Sequence, residues 1–349
     1  MNGILGPGIL LAQFIRDEPP YHELKSLARW AAGLGYKGLQ IPSWDRHVFD
    51  LATAATSQAY CDDYRAGLAD HGLCVTELNA ALQGQVLALH PAYEQMFDAF
   101  YPAGLKGAAL TKWADERLRE VIAASAKLGA KTIPAFSGGF AWQMAYPWPQ
   151  RPAGIIDEAF AELARRWTPL FDAAADVGLS FAYELHPGND LYDGATFEMF
   201  LDRVGGHPAA RINYDPSHFV LQQLDYLDFI ARYGDRIAAF HVKDAEFRPD
   251  GRTGVYGGYQ PWTKRAGRFR SPGDGQVDFV RVFTMLTEAG FRGWAVLEWE
   301  CCVKSPEQGA REGAPFINKH LIDATTVAFD DFAGAKTDAA RNRSLLGLG

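Results

Sequence analysis

Four apolar segments in the second half of the chain end in side chains that can bind a cation or move a proton. These side chains come in pairs two residues apart, and residues two apart lie on the same face of a β-strand. The pairs are Glu184 with His186, Asn213 with Asp215, His241 with Lys243, and Glu298 with Glu300. We therefore expect four consecutive strands to point polar groups at one place.

Carboxylates brought together in this way would repel one another and would be costly to bury without a partner. A divalent cation removes that cost. One residue from each segment gives a predicted ligand set of Glu184, Asp215, His241 and Glu298. Carboxylate oxygens with one imidazole favour Mn²⁺ or Mg²⁺, and Co²⁺ and Zn²⁺ are alternatives. The set contains no cysteine, which argues against a structural zinc site.

The four segments belong to a longer pattern, in which short apolar runs alternate with helical segments that often end in glycine. The predicted strands cover 8–14, 37–43, 73–80, 130–136, 179–187, 210–218, 237–244 and 293–300. Alternating strands and helices indicate a parallel sheet, because parallel neighbours need a crossover connection. Eight such units predict a single (β/α)8 TIM barrel over residues 1–349. An open doubly wound sheet is the alternative, but no glycine-rich fingerprint follows the first strand.

Two long excursions interrupt the pattern, at about 81–113 and 245–276. Each follows a strand, so each is expected on the C-terminal face of the barrel, where active sites of this fold lie. Long loops of this kind are usually lids or disordered segments. The excursion at 81–113 could also cover the mouth of a second copy in a homo-oligomer, a state that the sequence leaves open.

A shorter loop, at 137–152, has the same aromatic character as the second excursion. Its aromatic residues either pack the loop or form a wall against a bound substrate. They are Phe140, Trp142, Tyr146 and Trp148. We predict Trp142 as a contact to the substrate.

The composition excludes several classes of protein. The chain has 349 residues, 48% of them hydrophobic, and a formal net charge of -8, which argues against a nucleic-acid-binding surface. It has no apolar run long enough to span a membrane and no basic segment of a secretion signal at its N-terminus. Its four cysteines are too few for a disulfide framework, and we expect them to be reduced and packed. These features favour a cytoplasmic enzyme with a small-molecule substrate.

The motifs YELHPG, YDPSH, HVKD, PGDGQVDF and LEWE resemble those of the xylose-isomerase-like barrel superfamily, in particular proteins called sugar phosphate isomerase/epimerase. The resemblance runs over nearly the whole chain and is strongest from about residue 180 to 300. It implies that Glu184 and Glu298 bind the metal and shuttle protons, with Asp215 and His241 as further ligands. It also implies that His218 helps to hold the oxygens of a carbohydrate substrate, which the enzyme isomerises or epimerises.

The same ligands serve several outcomes of one first step, the removal of a proton next to a carbonyl. Return of the proton gives an epimer or an isomer. Loss of a neighbouring substituent would instead make the protein a lyase, hydratase or C-deglycosylase for a 3-keto-sugar or 3-keto-glycoside. The barrel could also be a non-catalytic sugar-binding protein or an endonuclease-like phosphodiesterase. The endonuclease would need a multi-metal cluster with more histidines and a basic face.

Several residues near the predicted ligands have two open interpretations. His186 either supports a ligand or takes part in catalysis. Lys243 and Glu300 either balance charge or contact the substrate. Arg270, together with Arg268, either binds a phosphate or carboxylate group or lies on the solvated surface.

Overall fold

The structure, a computed structural model, describes residues 3–325 and 338–348. Eight strands form one parallel sheet, and two further strands form a small antiparallel sheet. The strands are β1 (Leu5–Leu10), β2 (Gly38–Pro42), β3 (Cys74–Asn79), β4 (Thr132–Ala135), β5 (Ser180–Glu184), β6 (Ala210–Tyr214), β7 (Ile237–Val242), β8 (Asp244–Phe247), β9 (Gly267–Arg270) and β10 (Trp294–Leu297). The small sheet pairs β8 with β9.

The large sheet closes on itself. Its strand order is β3-β2-β1-β10-β7-β6-β5-β4, and the two ends of this series meet where the backbone N–H of Ala80 donates to the carbonyl oxygen of Pro134 at 2.7 Å. The TIM barrel predicted from the strand–helix alternation is therefore confirmed.

Helices surround the barrel and connect its strands. They are α1 (Leu24–Gly33), α2 (Leu51–Thr56), α3 (Gln58–Ala69), α4 (Ala81–Leu87), α5 (Glu94–Phe97), α6 (Gly107–Leu128), α7 (Ile155–Asp176), α8 (Gly194–Arg203), α9 (Pro216–Gln222), α10 (Tyr226–Tyr233), α11 (Phe279–Glu288), α12 (Pro306–His320) and α13 (Ala339–Leu345). Among the described residues, no helix is both long and apolar enough to cross a membrane.

Aromatic side chains between the barrel and the helices fix which way each strand faces. Tyr183 of β5 packs against Trp167 of α7 with ring centroids 5.0 Å apart, and Phe240 of β7 packs against Phe283 of α11 at 5.3 Å. Because neighbours in a strand point to opposite sides, the residues that follow these aromatics in the chain face the barrel axis.

The predicted strands extend past the observed ones at their C-terminal ends. The strand predicted over 179–187 ends at Glu184, and the strand predicted over 293–300 ends at Leu297. His186 and Glu300 therefore lie in loops at the barrel mouth. The predicted strands are too long because the alternation of polar and apolar residues continues in the sequence beyond the last hydrogen bond of the sheet.

Both excursions contain secondary structure. The segment 81–113 holds α4, α5 and the beginning of α6, which starts at Gly107. The segment 245–276 holds most of the hairpin formed by β8 and β9. The Asp244 carboxylate accepts hydrogen bonds from the backbone N–H groups of Gly273 and Gly275, both at 2.9 Å, so the two ends of this segment are tied together.

All four cysteines are free thiols, as expected. Cys61 is buried, and Cys301 and Cys302 are half-buried. Cys74 is exposed, so the expectation that all four are packed is wrong for this residue. It begins β3 at the bottom of the barrel, where its neighbours leave it open to solvent.

The contact of α12 with the barrel supports the strand that precedes Glu298. A Cβ atom added at Gly313 would lie 2.5 Å from the Tyr36 hydroxyl and 2.6 Å from a methyl group of Leu297. We expect Gly313→Ala to lower the free energy of unfolding by about 1–3 kcal/mol, the usual cost of overpacking. Urea denaturation measures this change.

Gly67→Ala is the matched control, because Gly67 lies in α3 with nothing within 4 Å of an added Cβ atom. It should raise the free energy of unfolding by up to about 1 kcal/mol, the difference in helix propensity. Equal unfolding midpoints for the two variants would contradict the proposed packing of α12.

Candidate metal centre

Four strand ends deliver the predicted ligands to one buried place. Glu184 is the last residue of β5, Asp215 directly follows β6, His241 lies in β7, and Glu298 directly follows β10. One ligand atom from each residue lies within 4.8 Å of all the others, and all four residues are buried. The structure thus brings together the whole predicted set at the C-terminal mouth of the barrel.

His241 is held between two carboxylates and an amide. Its Nδ1 lies 2.7 Å from Glu298 Oε2 and 3.2 Å from Glu184 Oε2, while its Nε2 lies 3.1 Å from Gln40 Oε1. Burial alone would lower the pKa of His241, but the charges of Glu298 and Glu184 raise it well above its usual value. A metal ion held here would displace the Nδ1 proton, so its binding releases a proton.

Lys243 is the other cation of the cluster. Its Nζ is buried 3.4 Å from Glu298 Oε2, 3.5 Å from Asp215 Oδ2 and 4.0 Å from Glu184 Oε1. The three carboxylates carry three negative charges and the Lys243 ammonium carries one positive charge. When His241 is neutral, the cluster therefore has an excess of two negative charges. A divalent cation would balance that excess.

Two oxygen atoms of the cluster lack a well-aligned hydrogen-bond donor among the described residues. They are Asp215 Oδ2 and Glu298 Oε2, although cationic nitrogens lie near both. Burial raises the pKa of Asp215 to about 8, and the charges of Glu184 and Glu298 add to the effect against the opposing Lys243. Buried oxygens without aligned donors and an excess of negative charge are what a metal site looks like before its ion binds. The residues present therefore fit a divalent ion.

His218 joins the cluster on the side of the open mouth. Its Nε2 donates to Glu184 Oε1 at 2.9 Å. Burial, together with the nearby charge of Lys243, lowers the pKa of His218 to about 3, so the imidazole is neutral at pH 7. Burial alone would raise the pKa of the Glu184 carboxyl. The hydrogen bonds from His218 and His241 instead hold this pKa well below its usual value.

Comparison with known proteins agrees with this geometry. The family described as xylose isomerase-like TIM barrel matches residues 28–320, which is most of the chain. The protein belongs to the xylose isomerase-like TIM barrel family. The family membership predicted from the motifs is therefore confirmed.

Among the relatives of this family member, the inosose dehydratase of Bacillus licheniformis is 30% identical over 174 residues, which cover 48% of this chain and 57% of that protein. A xylose isomerase-like TIM barrel protein from Mycobacterium smegmatis, solved in complex with magnesium, superposes with a TM-score of 0.62 at 16% identity, over 90% of this chain and 96% of that one. The 3-keto-D-glucoside 4-epimerase YcjR from E. coli superposes with a TM-score of 0.60 at 14% identity, over 89% and 98% of the two chains.

His186 lies next to the cluster in this xylose isomerase-like barrel. Its ring stacks on that of His218 with centroids 4.8 Å apart. Its Nδ1 lies 2.8 Å from the Pro187 carbonyl oxygen, and its Nε2 lies 3.2 Å from the Asn189 side-chain nitrogen. Because both ring nitrogens have protein partners, this arrangement favours a supporting role over proton transfer. The predicted catalytic role remains a prediction.

The remaining predicted substrate contacts lie at different distances from the cluster. Glu300 lies at the rim, with Oε1 3.4 Å from Lys243 Nζ, and Trp142 packs against Tyr192 in a neighbouring loop at 5.1 Å. Arg270 instead pairs with Glu246 of the β8–β9 hairpin, with its Nη1 2.7 Å from Oε1 of that residue. Arg270 is thus paired within the hairpin and not with a residue of the cluster. Its contact with a substrate stays a prediction.

The sequence analysis missed polar residues from the first half of the barrel. Gln13 Nε2 donates to Glu298 Oε1 at 3.1 Å, and Asn79 Nδ2 donates to Gln40 Oε1 at 2.9 Å. Gln40 Nε2 in turn donates to Glu77 Oε2 at 3.2 Å. The available signal was a polar side chain inside an otherwise apolar strand, as Gln40 is in β2.

Gln40 determines which nitrogen of His241 is available to a metal. Its amide is oriented by Asn79 and Glu77, so its oxygen faces His241 Nε2 and accepts the proton there. A metal ion that displaced the other proton would find the lone pair on Nδ1, which faces the carboxylates. Outer partners of this kind fix the ring orientation of metal-binding histidines.

We expect Glu298→Gln to weaken Mn²⁺ binding by more than the roughly 10–100-fold that loss of an outer partner costs, because it removes a charge from the ligand set. Isothermal titration calorimetry measures the dissociation constant. Glu288→Gln, at an exposed position of α11, is the control and should bind like the wild type. Wild-type affinity in Glu298→Gln would contradict its assignment as a ligand.

We expect Gln40→Met to weaken Mn²⁺ binding by roughly 10–100-fold, because the shape is kept while the acceptor for His241 Nε2 is lost. The same calorimetric titration applies, with Gln58→Met on the exposed side of α3 as its control. If both variants bind Mn²⁺ equally well, Gln40 does not orient the ligand.

Proposed function

We propose that this protein is a divalent-metal-dependent enzyme that removes the proton next to the carbonyl of a keto-sugar and returns it to give an isomer or epimer. The observation that carries this proposal is the buried set of three carboxylates and one imidazole at the open end of the barrel. The set has the ligands that Mn²⁺ favours, and we propose Mn²⁺ as the ion, with Mg²⁺, Co²⁺ or Zn²⁺ as alternatives.

The chemistry is divided between the ion and the side chains around it. A bound divalent ion would stabilise the negative charge that develops on the carbonyl oxygen as the proton leaves. Glu184 and Glu298 lie on β5 and after β10, on two sides of the mouth, so one takes the proton and the other returns it. His218 holds Glu184 ionised through its 2.9 Å hydrogen bond, as a base requires.

Lys243 assists at the same place. Burial alone would lower the pKa of Lys243, but the charges of Glu298, Glu300 and Asp215 raise it well above its usual value. It therefore remains an ammonium ion throughout turnover and donates to substrate oxygen. Electrostatic stabilisation by such a fixed donor is strong because the donor is buried.

A second candidate function is the elimination of a substituent from a 3-keto-sugar or 3-keto-glycoside. It is favoured by Glu300, which stands at the rim where a leaving group would depart. Partial burial raises the pKa of Glu300, and Glu298 and Glu184 raise it further against the opposing Lys243, so it is suited to carry a proton. The 30% identical relative is a dehydratase by name, which agrees with this alternative.

An endonuclease-like activity has less support. In the described part of the chain, one group of His and acidic residues has metal-ligand geometry, and it contains a single histidine. The net charge of -8 also disfavours a bound nucleic acid.

The decisive experiment incubates the protein with Mn²⁺ in D₂O with D-fructose, with 3-keto-D-glucose or with 2-keto-myo-inositol. Deuterium in an isomeric product supports the first function, and an unsaturated product supports the second. EDTA should abolish turnover, and added Mn²⁺ should restore it, because three ligands are charged and need the ion. Turnover that persists after verified removal of all metal would rule out the proposed role of the site.

A further inference from the structure

An aromatic cleft of about 580 Å³ opens beside the metal centre. Three loops supply its rings: the loop after β4, the loop after β5 and the excursion at 245–276. The aromatic residues of the cleft are Trp142, Tyr146, Tyr192, Tyr256, Trp262 and Phe269. Clefts of this volume bury a ligand of drug size, which is larger than a single sugar ring.

The aromatic cleft is continuous with the metal centre. His186 and His218 line it, and His218 donates to the ligand Glu184 at 2.9 Å. Phe269 also lines the cleft, contacts the His218 ring with centroids 5.3 Å apart and lies 4.6 Å from Lys243 Nζ. A molecule whose carbonyl reaches the metal centre would therefore place its outer part between the aromatic rings.

Several of the rings stand in contacting pairs, and two of them, Tyr256 and Trp262, are open to solvent over part of their surface. Tyr146 contacts Tyr256 with centroids 6.0 Å apart, and Trp262 contacts Phe269 at 4.8 Å. Tyr256 is 74% exposed and Trp262 is 44% exposed. Aromatic side chains gathered around one cleft and open to water indicate a surface that binds a partner group.

Arg265 adds a polar group to this apolar cleft. Its guanidinium stacks 4.5 Å from the centre of the Trp262 ring, and its buried Nε has no hydrogen-bond partner among the described residues. None of the ion pairs seen in the described part of the chain involves it. A buried donor with no partner among the described residues is available to an acceptor oxygen of a ligand.

We propose, resting on the proposed function, that the aromatic cleft binds a phenolic substituent attached to the sugar whose carbonyl reaches the metal centre. The substrate class is then an aryl glycoside in its keto form, with the aromatic ring between the rings of the cleft and a phenolic oxygen near Arg265. Stacking by Tyr256 and Trp262 selects such substrates over simple keto-sugars.

The test measures binding without turnover. The full chain, without added metal so that no turnover occurs, is titrated by calorimetry with the 3-keto forms of 4-hydroxyphenyl β-D-glucopyranoside and of methyl β-D-glucopyranoside. We expect the aryl glycoside to bind about tenfold more tightly, the gain that aromatic contacts provide. Tyr256→Ala should reduce this preference to less than about threefold.

Tyr259→Ala is the matched control. Tyr259 lies three residues away in the same excursion, is fully exposed and does not line the cleft. It should keep the tenfold preference. Equal affinities for the two glycosides, absence of binding by both, or the same preference in both tyrosine variants would overturn the proposal.

The outcome is separable from that of the proposed function. If no keto-sugar exchanges deuterium while the aryl preference persists and depends on Tyr256, the enzyme assignment fails and the aryl site stands. If deuterium exchange occurs but the glycosides bind equally, the aryl site fails and the enzyme assignment stands.

Discussion

The site depends on the mutual repulsion of three carboxylates that the barrel holds together in its interior. Two unit charges 4 Å apart repel by about 4 kcal/mol at the effective dielectric constant of a protein near its surface. Lys243 offsets part of this repulsion, and His241 offsets more when it carries a proton. Burial raises the pKa of Asp215, and repulsion from Glu184 and Glu298 adds to the effect. A divalent ion held here would balance the remaining negative charge. An ion bound here would therefore relieve a cost that the same charges impose on the metal-free fold.

The barrel tolerates this arrangement because each ligand is adjacent in sequence to an aromatic residue that packs outward. Tyr183, Tyr214 and Phe240 precede the ligands of β5, β6 and β7, and Trp299 follows the ligand after β10. Their contacts lie outside the barrel, as those of Tyr183 with Trp167 and of Trp299 with Phe14 show. An outward ring and an inward ligand on adjacent residues prevent the strand end from rotating. The hydrophobic packing of the helices thus holds the charged groups at the mouth.

This coupling also explains how much of the molecule could be predicted from its sequence. In the last four strands, inward-facing and outward-facing positions alternate in residue type. This alternation predicts both the strands of the barrel and the convergence of Glu184, Asp215 and Glu298. The role of Gln40 could not be predicted, since it meets His241 across the closed barrel from a position 201 residues away in the chain. Arg270 is the converse case, a residue that was predicted to have a role but whose partner could not be predicted. The sequence shows the charge of Arg270, but the register of the β8–β9 hairpin determines that Glu246 is its partner. This register aligns Glu246 with Arg268.

The predicted metal ligands and the aromatic cleft lie on separate parts of this structure. The strand ends carry the ligands, whereas the loops after β4, β5 and β7 carry the cleft. The excursion at 245–276 is fixed at its base, where the Asp244 carboxylate accepts three backbone N–H groups from the returning segment and Glu246 pairs with arginines of β9. Its middle, which bears Tyr256 and Trp262, is open to solvent. The predicted metal ligands are thus held by the barrel itself, whereas the aromatic cleft is built on loops outside it.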